Sequence, residues 1–115
     1  MTAQVRQSGQ DAAAEARRAA GAWLRGLREA RGLSQRQLAQ RLGIEFYSFI
    51  AQIEAGRGRI PPERYEAWAE ALGLEPCAFV RDVLRHYEPV TWRILFGEEE
   101  RSPRSAPAPG LRTGP

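Results

Sequence analysis

Residues 33–56 read Leu33-Ser34-Gln35-Arg36-Gln37-Leu38-Ala39-Gln40-Arg41-Leu42-Gly43-Ile44-Glu45-Phe46-Tyr47-Ser48-Phe49-Ile50-Ala51-Gln52-Ile53-Glu54-Ala55-Gly56. Ser34 is a good helix N-cap, and Gln37, three residues later, completes a capping box in which each side chain bonds the other residue's backbone N–H. Leu38, Ala39 and Leu42 then form one apolar face at helical spacing. Gly43 follows the last turn, where a left-handed residue ends a helix at little steric cost. A second amphipathic segment comes next, and after it the basic loop Gly56-Arg57-Gly58-Arg59. Two short helices about a tight turn, with cations beyond them, can seat the second helix in the major groove of DNA.

Working outward, Asp11 can cap a first helix that starts in the Ala-rich run 12–22 and ends at Arg31 before Gly32, with Ala16, Ala20, Trp23, Leu27 and Ala30 on one face. Gly21 and Gly26 weaken that helix by up to about 1 kcal/mol each relative to Ala. Residues 1–10 are polar and are expected to be disordered. The second helix covers about 35–42 and the third about 45–55. Pro62 suits the first turn of a fourth, whose core face is Tyr65, Trp68, Ala69 and Leu72 and which Gly73 closes. Pro76 opens a fifth, with Phe79, Val80, Val83, Leu84 and Tyr87 as its apolar positions. Pro89 breaks it, leaving 90–96 for a last helical turn or two. From Gly97 the chain carries Glu98-Glu99-Glu100 and then Pro103, Pro107, Pro109 and Pro115, and this tail is expected to be disordered. No alternating apolar segment argues for a strand, so the expected fold is all-α: a disordered N-terminus over 1–10, a domain over 11–74, a helical extension over 75–96 and a disordered tail over 97–115.

Composition narrows the function. At 115 residues with 43% hydrophobic content there is room for one small packed domain plus tails. No run approaches the roughly 20 apolar residues that span a bilayer, and Met1–Ser8 lacks a signal peptide's apolar core, so the expectation is a cytoplasmic protein with no membrane partner. One cysteine, Cys77, and one histidine, His86, exclude an intramolecular disulfide and an ordinary zinc site, and both read as structural or surface residues. No cofactor is expected. There is no Ser-His-Asp set, metal cluster or phosphate-binding glycine loop, so an enzyme is not expected. The basic residues are all arginine. Residues 22–60 hold seven of them against three glutamates, net +4, whereas residues 61–97 hold four against six acids, net −2. Positive charge on the two-helix segment suits phosphate binding.

At Leu27-Arg28-Glu29-Ala30-Arg31-Gly32-Leu33-Ser34-Gln35, Leu38-Ala39, Ile53-Glu54-Ala55-Gly56 and Ala71-Leu72-Gly73-Leu74 the chain resembles the Cro and phage-repressor-like (XRE) helix-turn-helix family, over roughly residues 23–74. The resemblance implies a five-helix domain that binds operator DNA, usually as a dimer, and regulates transcription, with repression the expected direction. In one respect the chain departs from it. Twelve residues separate Gly43 and Gly56, where the family usually has eleven, so the turn or the start of the third helix must be longer. Counting back from Ile53-Glu54 puts Ile50 and Ile53 toward the core. Tyr47, Ser48 and Gln52 then match the family's base-reading positions, with Ala51 beside them.

Gln52 is able to bond adenine N6 and N7 together, and the alternative for it is an ordinary surface glutamine. Tyr47 and Ser48 can reach bases or only phosphates, and Tyr47 can instead be core. Gln35 and Arg36 open the second helix, whose amides should face a phosphate. Arg57 and Arg59 match the family's backbone-contact positions, and the resemblance makes Arg28 and Glu54 a structural ion pair. Of the aromatic pair Phe46 and Phe49 one is expected to pack inward, while an exposed one can touch a thymine methyl. Trp23, Trp68 and Trp92 read as core or interface residues. Residues 79–96 carry more apolar surface than one short helix can bury, so Phe79, Val83, Tyr87, Trp92, Leu95 and Phe96 are expected to form a homodimer interface; the alternative is that Trp92 and Phe96 cover the monomer's own core. With no effector-sized second domain legible in these residues, no small-molecule effector is expected. The competing function is that of a helix-turn-helix adaptor or antitoxin-like protein whose main partner is another protein.

Overall fold

The computed structural model describes residues 2–101, with side chains over residues 9–98, and every regular element among them is helical. The order is α1 (Thr2–Ala30), α2 (Gln35–Leu42), α3 (Ser48–Glu54), a 3₁₀ turn at Pro62–Arg64, α4 (Tyr65–Leu72), α5 (Pro76–Tyr87) and α6 (Pro89–Arg101). The all-α fold expected from the sequence is what is found, with shifts in where elements begin and end. The first helix starts at Thr2 instead of near Asp11, for residues 2–10 contain no proline and only Gly9 to oppose a helix. The stretch expected to break at Pro89 continues as α6 for 13 residues. Proline ends one helix and opens the next, since its missing N–H costs nothing at the first position. Gly97–Arg101, expected in a disordered tail, belong to α6; the tail from Ser102 lies outside the described residues.

α1 packs on α3 and α5, α2 on α4 and α3, and α4 on α5, while α6 lies along α5. Leu24, Leu38, Ile50, Ile60, Trp68, Leu72, Phe79 and Val83 are fully enclosed at the centre. The buried line of α1 is Ala20, Gly21, Leu24 and Arg28, with Trp23 and Leu27 half-buried and Ala30 exposed. This is rotated from the expected face, because apolar periodicity passes over a buried glycine and a buried arginine.

Phe79, Val83 and Tyr87 are buried within the single chain and are therefore removed from the expected dimer interface. α5 packs on α1 and α4; Trp23 of α1 stacks on Phe79 with ring centroids 5.7 Å apart and on His86 at 4.7 Å, and the Tyr87 hydroxyl accepts the Ile60 N–H. Trp92 and Phe96 fold back toward α5, where the guanidiniums of Arg85 and Arg81 lie 4.5 and 4.6 Å from their ring centroids. The outward side of α6 carries Val90, Ile94 and Leu95, all exposed.

Candidate nucleic-acid interface

The capping box forms as expected: Ser34 Oγ accepts the Gln37 N–H at 3.0 Å and Gln37 Oε1 accepts the Ser34 N–H at 2.8 Å. α2 ends at Gly43, whose φ of 70° places it in the left-handed region. The Gly43 and Ile44 N–H groups return to the carbonyls of Gln40 and Ala39, closing a Schellman-type end. The extra residue between the two glycines is taken up in the turn, and α3 starts only at Ser48 instead of near residue 45.

α3 has seven residues, of which Ile50 alone is fully buried. Its position is set from its C-terminal end. Glu54 accepts from Arg28 Nε at 2.6 Å and Nη2 at 2.9 Å, and Arg28 Nη1 donates to the Leu33 carbonyl at 2.7 Å. The two side chains are only 9% and 4% exposed, so this is a bidentate, desolvated pair. The hydrogen bond to Glu54, helped by the charges of Glu54 and Glu29 and opposed by burial, holds the Arg28 pKa above its ordinary value. Gln35 Nε2 also donates to Glu54 Oε1, at 3.0 Å. One carboxylate thus joins α1, α2 and α3. Beside it the α1 and α3 backbones meet: a Cβ on Gly21 would overlap the Glu54 carbonyl oxygen and lie 2.7 Å from that of Ile53.

Held this way, α3 and its N-cap residue present Tyr47, Ser48 and Gln52 outward, with Ala51 half-buried beside them. The Arg36 guanidinium lies 4.6 Å from the Tyr47 ring centroid. These two residues share a shallow cleft with Arg25, Arg28, Ser34 and Gln35. Arg57 is exposed just past α3. Phe46 and Phe49 are both exposed, at 59% and 56%, so the expectation that one packs inward is wrong. Ile44, Ile53 and the enclosed Ile50 and Trp68 already fill the space behind α3.

The arginines divide into two groups. Arg31 donates to the carbonyls of Leu72 and Gly73, Arg41 to that of Ala71 and Arg64 to that of Leu42. These carbonyls belong to the C-terminal ends of α4 and α2, which lack intrahelical partners and carry negative dipole. Arg59 pairs with Glu88 at 3.2 Å and lies 4.3 Å over the Tyr87 ring, so it is engaged with α5 and the structure does not bring it together with Arg57. Arg25, Arg36 and Arg57 are exposed on the α3 side. Arg25, which pairs with Glu29 one turn on at 3.0 Å, is a site residue that sequence reasoning missed. Its signal was its place one helical turn before Arg28.

Among the described residues no group of three or more His, Cys, Asp or Glu could hold a metal ion, and no helix is long and apolar enough to cross a membrane. The family model of the helix-turn-helix domain matches residues 19–86, more than half of the chain. The chain belongs to the helix-turn-helix domain family. This agrees with the resemblance to Cro- and phage-repressor-like domains, and the match takes in all of α2 to α4 and α5 to His86. No curated protein matches the chain. The helix-turn-helix match stops short of α6 and begins after the first eighteen residues, leaving both outside it.

Proposed function

We propose that this helix-turn-helix protein is a cytoplasmic, sequence-specific double-stranded DNA-binding regulator of transcription, acting as a repressor by occupying its site. The observation that carries this reading is the outward face of α3. A helix with one enclosed residue is held by a buried three-helix polar junction, and its free side bears Tyr47, Ser48 and Gln52 between exposed arginines. Gln52 is suited to adenine. Arg25, Arg36 and Arg57 take the phosphates, which fix register without reading sequence. Gln35, tied to Glu54, contributes by positioning, and Arg59, tied to Glu88, gives up the phosphate role to Arg25.

One such unit reads too few base pairs for a unique site, so two copies on adjoining half-sites complete the reading. The outward Val90, Ile94 and Leu95 of α6 are the surface through which a second copy pairs. Ile94→Arg is expected to lower self-association in sedimentation; an unchanged monomer–dimer balance would remove α6 from this role.

Duplex binding by the full chain, measured across salt, tests the whole. Four to six phosphate contacts per dimer give a slope of log K against log salt of about −4 to −5. A flat response, or binding to a protein partner but to no duplex, would overturn the reading in favour of an adaptor.

A further inference from the structure

Two large apolar rings stand open on the face just described. Phe46 lines a shallow cleft with Arg36, Glu45, Tyr47 and Ser48, and Phe49 and Gln52 stand at the α3 edge of a groove whose floor includes Ile44, Ile53 and Trp68. Phe49 and Gln52 are i, i+3 neighbours on α3, and the Phe46 carbonyl accepts the Phe49 N–H at 3.1 Å. The two rings therefore border the outward polar residues on the turn side and along one flank. Both residues are more than half exposed, and burial of their apolar surface against an apolar group would be favourable.

A phenyl ring has no donor or acceptor. Set against a polar base edge it would leave that edge unpaired, which is costly. The major groove offers one apolar group, the C5-methyl of thymine; 5-methylcytosine carries the same group. Resting on the DNA-binding reading above, we infer that Phe46 and Phe49 are specificity-determining residues that select a C5-methyl pyrimidine beside the base pair read by Gln52. The rings add to affinity only where a methyl is present. The polar residues and arginines supply the rest.

The test uses the full chain and a duplex selected from a random pool. Each thymine in turn is replaced by uracil, which removes only the methyl, and each cytosine by 5-methylcytosine, which adds one. Uracil at one or two positions per half-site is expected to weaken binding about fourfold per methyl, the scale for burying one methyl-sized group. A loss from uracil at a position makes thymine the source of the methyl there; a gain of similar size from 5-methylcytosine at a cytosine beside the Gln52 base pair, with no loss from uracil, would make methylated DNA the source. Phe49→Ala or Phe46→Ala, exposed positions whose loss should leave the melting temperature unchanged, is expected to abolish the thymine–uracil difference. Sequence-selective duplex binding that is indifferent both to uracil and to 5-methylcytosine everywhere overturns this inference and leaves the function standing. So does an alanine variant that keeps the full thymine–uracil ratio, which would assign the rings to another partner. Failure to bind any duplex removes the function itself.

Discussion

α3 and α4 are nearly the same length and follow one another in the chain, yet they are held in opposite ways. α4 has eight residues and buries Trp68, Ala69, Ala71 and Leu72. α3 has seven and buries only Ile50. α4 is anchored by apolar area, with Arg31 closing its carbonyl end. α3 is anchored by one carboxylate that serves two helices and by a backbone-to-backbone approach at Gly21. A helix that must keep most of its surface available for a partner cannot be fixed by burial. Directional polar contacts and close packing of small residues fix it with little area. The two helices should therefore fail differently when damaged.

The largest expected effect on stability is at α4. Trp68 is 1% exposed, and Trp68→Ala should cost about 3–5 kcal/mol. In urea melts this appears as a lower midpoint, while duplex affinity per folded molecule changes little. Arg28→Ala should cost about 3 kcal/mol, since it leaves Glu54 buried without its cation, and here affinity should fall with stability even where the protein is fully folded. Retained affinity in a destabilised Arg28→Ala protein would break the comparison. Gly21→Ala should cost about 1–3 kcal/mol through overpacking; it leaves every polar partner in place, so a matching loss of affinity would show that distance, and not charge alone, sets the pose of α3.

The smallest effect concerns the loop between the two helices. The buried Ile60 N–H donates to the Tyr87 hydroxyl at 3.2 Å, and Tyr87→Phe should cost about 1 kcal/mol by orphaning it. Burial raises the Tyr87 pKa above its ordinary 10.0, partly offset by the Ile60 hydrogen bond and by Arg59. The neutral phenol is thus favoured in the folded state. Its contribution is whole below pH 10.0 and is lost as pH rises through the raised value. Wild-type protein should lose more stability than Tyr87→Phe on moving from neutral pH to that alkaline range, as followed by urea melts.

Much of the domain was legible because local chemistry specified it. The Ser34–Gln37 box and the Gly43 end are chain-local rules, and both formed at the residues expected. The Arg28–Glu54 pair came from the family pattern, since nothing local joins residues 26 apart. What was missed depends on which neighbour fills a space. Periodicity showed apolar faces on residues 79–87, but not that the chain's own core would bury Phe79, Val83 and Tyr87. Gly21 reads as a helix weakener until α3 is seen against it. Net charge located seven arginines on residues 22–60 without separating those that cap helix ends from those left on the α3 side. The general rule that large rings go inside failed for Phe46 and Phe49, because the α3 register set by Ile50 and Glu54 leaves both outside. The proposed contacts of Tyr47, Ser48, Ala51 and Gln52 rest on register and exposure together.

The Glu54 junction also bears on amide exchange. A seven-residue helix with one enclosed side chain would ordinarily fray on its own, its N–H protons trading with solvent through local openings. Because Glu54 is bonded at once from α1 and α2, unwinding the end of α3 strands the Arg28 cation in a nearly dry site. The amides of Ile53 and Glu54 should then exchange only when that three-helix corner opens as a unit, with slow rates shared by Leu24 and Arg28 in α1.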